Sequence, residues 1–161
     1  MTQIAVIGAA DASPDEYTTA LAVGLLIAEN KGTLICGGMG GVMEAACKGV
    51  HDKGGVTVGI VPDNGNGNSH LDIVIRTGLG HGRNVLVVQS ADAVIAIGGG
   101  YGTLSEIAIA LKLNKPVFGL KTWDIDGVVK CETPNDAVLR AARAAHPSPL
   151  YHTRQAGEGP L

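Results

Sequence analysis

Short apolar runs alternate with longer amphipathic stretches along this chain, and glycine marks most of the junctions. The run from Gln3 to Ile7 is brief and apolar, as a parallel strand buried on both faces should be. Leu34 to Cys36, Val56 to Val61, Asp72 to Ile75, Ala93 to Ile97 and Pro116 to Leu120 repeat that signature. Helical patterns fill the intervals. Ser13-Pro14-Asp15-Glu16 is a capping box with proline at the first helical position. It opens a helix to about Asn30, with Tyr17, Leu21, Gly24, Leu25 and Ala28 on one face and Lys31-Gly32 as its stop. Further helices are predicted from about Val42 to Lys53, from Arg83 to about Ser90, from Thr103 onward and from Pro134 to Ala145. Thr103-Leu104-Ser105-Glu106 reads as a second capping box, with Thr103 as the cap.

Strands alternating with helices define an α/β protein, a three-layer parallel sheet of about six strands with helices on both faces. In such sheets ligands bind at the carboxyl ends of the strands, where strand order reverses. The expected order sets the first strand beside the fifth. That brings Gly8-Ala9-Ala10 next to Gly98 to Thr103, with Gly37 to Gly41 one strand further along. The chain is expected to be one domain over residues 1–146. Residues 147–161 are expected to form a loose carboxyl-terminal tail, since three prolines and two glycines fall between His146 and Leu161.

Composition narrows the partners. A net charge of −3 with scattered basic residues, and an aromatic content of 3 %, argue against nucleic acid. No window approaches a membrane span. Cys36, Cys47 and Cys131 lack the spacing of a zinc or redox motif, and a reduced, cytoplasmic protein is expected. The five histidines show no paired metal spacing, so no metal site is predicted. Glycine, at 24 residues, is about twice its usual share and gathers at the ends of the apolar runs.

That distribution directs attention to Gly98-Gly99-Gly100-Tyr101-Gly102-Thr103, between a buried strand and a helix. A loop almost without side chains lets another molecule approach backbone N–H groups. The helix start behind it carries a partial positive charge and free donors, a natural seat for phosphate. Gly8 and Ala9, and Gly38 and Gly40, occupy equivalent junctions and are assigned to the same crevice. Asp63 to Ser69 is a glycine- and asparagine-rich loop, a candidate lid. Arg83 stands among glycines at a helix entrance, where its guanidinium could bind phosphate or carboxylate. Asn84 is either a further ligand group or a helix cap. Glu106 is either the partner of its cap or a group facing the ligand. The chain contains no G-x-x-x-x-G-K-[ST], G-x-S-x-G or dinucleotide fingerprint.

Gly98 to Glu106, with Arg83 upstream and the Gly37 to Met43 loop, resembles the Rossmann-like family that includes the Lonely Guy phosphoribohydrolases, formerly misnamed lysine decarboxylases. Their signature is P-G-G-x-G-T-x-x-E, with a catalytic arginine in M-H-x-R-K. The resemblance spans residues 3 to 120. Gly98 replaces the signature proline, Gly80-His81-Gly82-Arg83-Asn84 replaces the arginine motif, and the later helical region is shorter. In these respects the chain is more similar to the molybdenum cofactor carrier proteins, which share the fold and bind the cofactor without known turnover.

The resemblance implies two functions for one pocket. The first is a carrier for a phosphorylated small molecule, with molybdenum cofactor as cargo and no cofactor of its own required; molybdate or a nucleotide would be related cargoes. The alternative is hydrolysis of nucleoside 5′-monophosphates to base and ribose 5-phosphate, with Arg83 and Glu106 as catalytic residues. Self-association as a homodimer or homotetramer is also expected. The helix after Thr103 and the segment Val85 to Val88 are apolar almost all round, whereas a helix of a monomer keeps one polar face.

Overall fold

The computed structural model describes residues 1–146; the predicted tail, 147–161, lies outside the described residues. The chain runs β1 (Gln3–Gly8), α1 (Pro14–Glu29), β2 (Thr33–Cys36), α2 (Val42–Asp52), β3 (Val56–Val61), β4 (Ile73–Arg76), a 3-10 turn (Gly80–Gly82), α3 (Arg83–Gln89), β5 (Ala93–Ile97), α4 (Tyr101–Lys112), β6 (Val117–Leu120), β7 (Val128–Lys130) and α5 (Pro134–Ala145). All strand pairs are parallel, and the order is β4-β3-β2-β1-β5-β6-β7. The first strand does lie beside the fifth, with Ala5 opposite Val94. The sheet has seven strands rather than six. The added one, β7, is a three-residue edge strand after Gly127, too short for its pattern to register as a strand.

Period-two alternation divides the core between two faces. Ile4 and Val6 of β1, with Ile95 and Ile97 of β5, pack beneath α1, α2 and α5. Ala5 and Ile7, with Val94 and Ala96, pack beneath α3 and α4. Three helices therefore cover one face and two the other. Ile73 and Ile75 of edge strand β4 align with Val58 and Ile60 of β3 and so point to the two-helix side. They remain 49 % and 45 % exposed.

The capping box of α1 forms as expected: Glu16 N–H donates to Ser13 Oγ at 3.2 Å, and Ser13 N–H donates to Glu16 Oε2 at 2.8 Å. The buried face of α1 is turned one residue from the predicted stripe. Ala20, Val23, Gly24 and Ile27 are buried, whereas Leu25 is only partly so. The cause lies in α2. A Cβ on Gly24 would strike the Ala46 carbonyl oxygen, and one on Gly49 would strike that of Leu21. The two helices meet backbone to backbone, so the glycine must face inward.

This contact should tolerate no added side chain. Gly49→Val is expected to destabilise the fold by about 3 kcal/mol or more, because rigid backbone rather than a movable side chain occupies the space. A urea midpoint unchanged from wild type would contradict that packing.

Candidate functional site

Strand order reverses between β1 and β5, and the loops leaving their carboxyl ends diverge to opposite sides. A cleft of about 540 Å³ opens there. Gly8, Ala9 and Ala10 line it from the end of β1, and Gly100, Gly102, Thr103 and Glu106 from the start of α4. Arg83 and Asn84 enter from α3. The helices α2 and α4 both begin beside it with glycine caps, Gly41 and Gly100, that offer no side-chain acceptor. The first N–H groups of α4 thus have neither an intrahelical partner nor a capping side chain, and the positive end of its dipole faces the cleft.

The structure corrects the second predicted capping box. Helix α4 starts at Tyr101, two residues earlier than expected, and Thr103 makes no cap hydrogen bond. Thr103 and Glu106 instead share an inward face and are 3 % and 6 % exposed. Thr103 packs against Gly99 so closely that a Cβ there would overlap its side chain. Because Gly99 admits this contact, the helix can begin over the glycines. Asn84 is likewise no helix cap: it is buried within α3, whose first residue is capped by Gly82 without a side-chain bond.

The glycines divide by role. Gly100 and Gly102 have open space where a Cβ would stand, so their bareness serves the cleft. Gly98 (φ +50°) and Gly99 (φ +96°) do not line it. A Cβ on Gly98 would collide with the Glu16 carboxylate, so its bareness serves packing against α1. Gly38 and Gly40 are also set back from the cleft; Gly38 packs under Val61 and Leu71, and Gly40 near the Ala10 carbonyl. Tyr101 projects to solvent, 83 % exposed, and stacks with Trp123 at 6.1 Å between ring centroids. Met39, Met43, Pro62, Gly80 and His81 line the cleft but were not predicted as site residues. Their adjacency to the glycine loops was the signal available.

The loop from Asp63 to Ser69 is tied down at its carboxyl end. Asn68 N–H donates to the Gly38 carbonyl at 2.8 Å, and Asn68 Nδ2 donates to the Met39 carbonyl at 3.0 Å. The candidate lid is thus anchored to the second glycine loop.

Arg83 is held by a relay between helices. Its Nη1 donates to Asn84 Oδ1, Asn84 Nδ2 donates to Ser105 Oγ at 3.2 Å, and Ser105 Oγ donates to the Gly102 carbonyl at 2.6 Å. The guanidinium rests over Gly37, where a Cβ would lie 2.8 Å from Nη2. Arg83 Nε is buried with no hydrogen-bond partner among the described residues. An unmet buried donor is costly, and an oxygen supplied by a ligand would satisfy it. Burial pushes the Glu106 carboxyl up to about 7, with the positive charge of Arg83 opposing the rise. At neutral pH Glu106 therefore exists in both protonation states. Among the described residues, no group of three or more His, Cys, Asp or Glu side chains converges as metal ligands would, and no helix is long and apolar enough to cross a membrane.

A parallel sheet whose switch-point cleft is edged by bare helix starts and one arginine defines an α/β protein of the Rossmann-like type. The chain belongs to the SLOG cluster4 family, whose sequence model matches residues 1–148. An uncharacterized protein of Archaeoglobus fulgidus is 51 % identical over 140 residues, covering 86 % of this chain and 93 % of the relative. Among solved structures, the molybdenum cofactor binding protein of Rippkaea orientalis superposes with a TM-score of 0.82 at 38 % identity, covering 86 % of this chain and 94 % of the other. The molybdenum cofactor carrier protein of Chlamydomonas reinhardtii superposes with a TM-score of 0.83 at 32 % identity, covering 89 % and 98 %. A probable cytokinin riboside 5′-monophosphate phosphoribohydrolase of Oryza sativa subsp. japonica is 37 % identical over 78 residues, 44 % of this chain and 30 % of that protein.

The raised Glu106 group makes a signed stability prediction. Its ordinary value is 4.5 and its folded value about 7, so the stabilising neutral form is fully present below pH 4.5. Stability should fall as pH rises between those values and level off above them. Glu106→Gln should therefore match wild type at pH 4.5 and exceed it at pH 8 by up to about 3 kcal/mol. Urea unfolding at both pH values would test this, and a constant difference between the two proteins would refute it.

Proposed function

We propose that the cleft carries a phosphorylated small molecule, with molybdenum cofactor as the specific cargo. The observation that carries this reading is the buried Nε of Arg83, unpartnered among the described residues, beside a helix start with no side-chain cap. A phosphate would satisfy that donor, accept backbone N–H bonds from α4 and lie in the field of its dipole. The likeness to the cofactor-binding protein of Rippkaea orientalis and the carrier of Chlamydomonas reinhardtii supports the choice of cargo. Glu106 is compatible with an anion because its protonated form adds no negative charge and offers a donor to a hydroxyl or ring nitrogen.

One observation favours a second reading. A carboxyl poised near 7 beside an arginine is suited to general acid–base catalysis, as cleavage of a nucleoside 5′-monophosphate would need. The partial match to the rice phosphoribohydrolase points the same way. We also propose that a second copy of this chain covers the two-helix face. Leu79, Val85 and Leu86 are exposed there at 57 %, 45 % and 38 %, alongside Ile73 and Ile75 of β4.

Calorimetric titration with molybdenum cofactor should show saturable binding, weakened roughly 10- to 100-fold in Arg83→Ala by loss of charge-assisted hydrogen bonds. Gly100→Val should fold normally yet fail to bind, since its side chain would enter open cleft. Wild-type affinity in both variants would overturn the site. Incubation with adenosine monophosphate separates the readings: unchanged nucleotide is expected of a carrier, whereas release of adenine would establish the hydrolase. Light scattering should report a dimer or larger assembly, and Val85→Glu with Leu86→Glu should dissociate it. A monomeric wild-type protein would refute the proposed interface.

A further inference from the structure

Below the cleft floor, and outside the set of groups that line it, two thiols face each other. Cys36 closes β2 and Cys47 lies in the middle of α2, with their Sγ atoms 3.5 Å apart and both side chains fully buried. Each sulfur also meets an N–H donor. Gly38 N–H donates to Cys36 Sγ at 3.3 Å, whereas Asn68 Nδ2 approaches Cys47 Sγ at 3.7 Å. Cys36 thus accepts from the glycine loop, and either thiol can donate to the other. Cys131, the third cysteine, directly follows β7, lies against the Val129 carbonyl and has no thiol partner.

The surroundings connect this pair to the site. The residue after Cys36 is Gly37, on which the Arg83 guanidinium and the Met43 thioether rest, and both of those groups line the cleft. Asn68, which touches Cys47, also holds the Gly38 and Met39 carbonyls. Any change in the distance between the two sulfurs is therefore applied to the strand end beneath Arg83 and to the anchor of the Asp63–Ser69 loop.

We infer that Cys36 and Cys47 are a redox couple that closes to a disulfide under a hydroperoxide and thereby loosens the arginine-bearing floor of the cleft. In the first step, when local opening of the buried pair admits the peroxide, the Cys36 thiolate attacks one peroxide oxygen, the O–O bond breaks, and water leaves after protonation of the hydroxide. The product is a sulfenic acid. In the second, Cys47 loses its proton, its sulfur attacks the Cys36 sulfur, and the S–O bond breaks to release a second water. Two thiols and one hydrogen peroxide thus give one disulfide and two waters, and a dithiol reductant reverses the change. Electrostatics favours the same direction of attack. The contact with Cys47 is the largest influence on the Cys36 thiol and lowers it, burial opposes this, and Gly38 N–H and Arg83 add to the lowering, while Cys47 is held up.

Closure must bring the sulfurs from 3.5 Å to about 2.05 Å. It also moves the sulfur that accepts from Gly38 N–H, so the anchor of the glycine loop is disturbed. This inference does not depend on the identity of the cargo.

The test treats the reduced, full-length protein with hydrogen peroxide and then alkylates it under denaturing conditions. Intact and peptide mass spectrometry should show loss of two hydrogens, a Cys36–Cys47 bridge, and Cys131 alkylated. Hydrogen exchange across Gly37–Gly41 and at Asn68 should quicken in the oxidised form and return to the original rate with dithiothreitol. Affinity for adenosine monophosphate, used as the probe, should fall by about tenfold, within the usual range of coupling between sites. Cys47→Ser should keep the reduced-state exchange pattern and lose its response to peroxide. Three unreacted thiols, or an overoxidised Cys36 without a bridge, would overturn the redox couple. A bridge that leaves loop exchange unchanged would overturn its action on the floor. Absence of probe binding in the reduced protein would count against the proposed cargo site, while the mass and exchange measurements would still decide the inference.

Discussion

A side chain at residue 37 would collide with the guanidinium of Arg83, and the geometry of the cleft follows from that exclusion. An arginine at a helix start is ordinarily free to sweep through solvent, at a considerable entropic cost to any ligand that fixes it. Here the bare backbone after β2 gives the guanidinium a flat bed, and Asn84 and Ser105 hold its flank. The positive charge is therefore in place before any ligand arrives. Preorganisation of this kind makes one cation effective in a cleft whose other attractive groups are backbone dipoles.

The chain order of loops follows from the switch in strand order, and so was legible in advance. Alternating apolar runs and helical patterns give a parallel sheet, and a parallel sheet that winds both ways from its first strand must bring β1 and β5 together. Arg83, Thr103 and Glu106 could be placed near that junction from their loops alone. The roles of individual glycines could not. Gly98 and Gly100 look alike in sequence, yet the first makes room for Glu16 of α1 and the second for the cleft. That difference depends on a contact across some eighty residues, beyond the reach of any local pattern. The same limit hid β7, which is held by pairing with β6 rather than by its own three residues. It also hid the turn of α1, imposed by the backbone of α2.

The start of α4 shows local and tertiary rules in conflict. Thr-x-x-Glu is a sound capping signal, and in an isolated peptide it would begin the helix at that threonine. In the folded chain Gly99 lets Thr103 pack inward, and the helix extends back to Tyr101. The helix end is left without a side-chain cap, and a carboxyl is left nearly buried. Each is unfavourable for folding taken alone. Their coincidence at one cleft is the pattern expected where stability has yielded to function.

A carrier and a hydrolase ask different things of that carboxyl. Catalysis requires interactions that strengthen as the glycosidic bond breaks, whereas a carrier gains nothing from favouring the transition state over the bound ground state. Arg83 and the start of α4 serve either purpose, because phosphate changes little in charge during departure of a base. Glu106 is the discriminating group. Held close to 7 by burial, it can donate to the cargo at neutral pH or, once ionised, stabilise positive charge developing on a ribose. The second role needs the sugar seated against Glu106 and a water aligned on its far side. The first needs only a hydrogen-bond acceptor within reach, a weaker geometric demand.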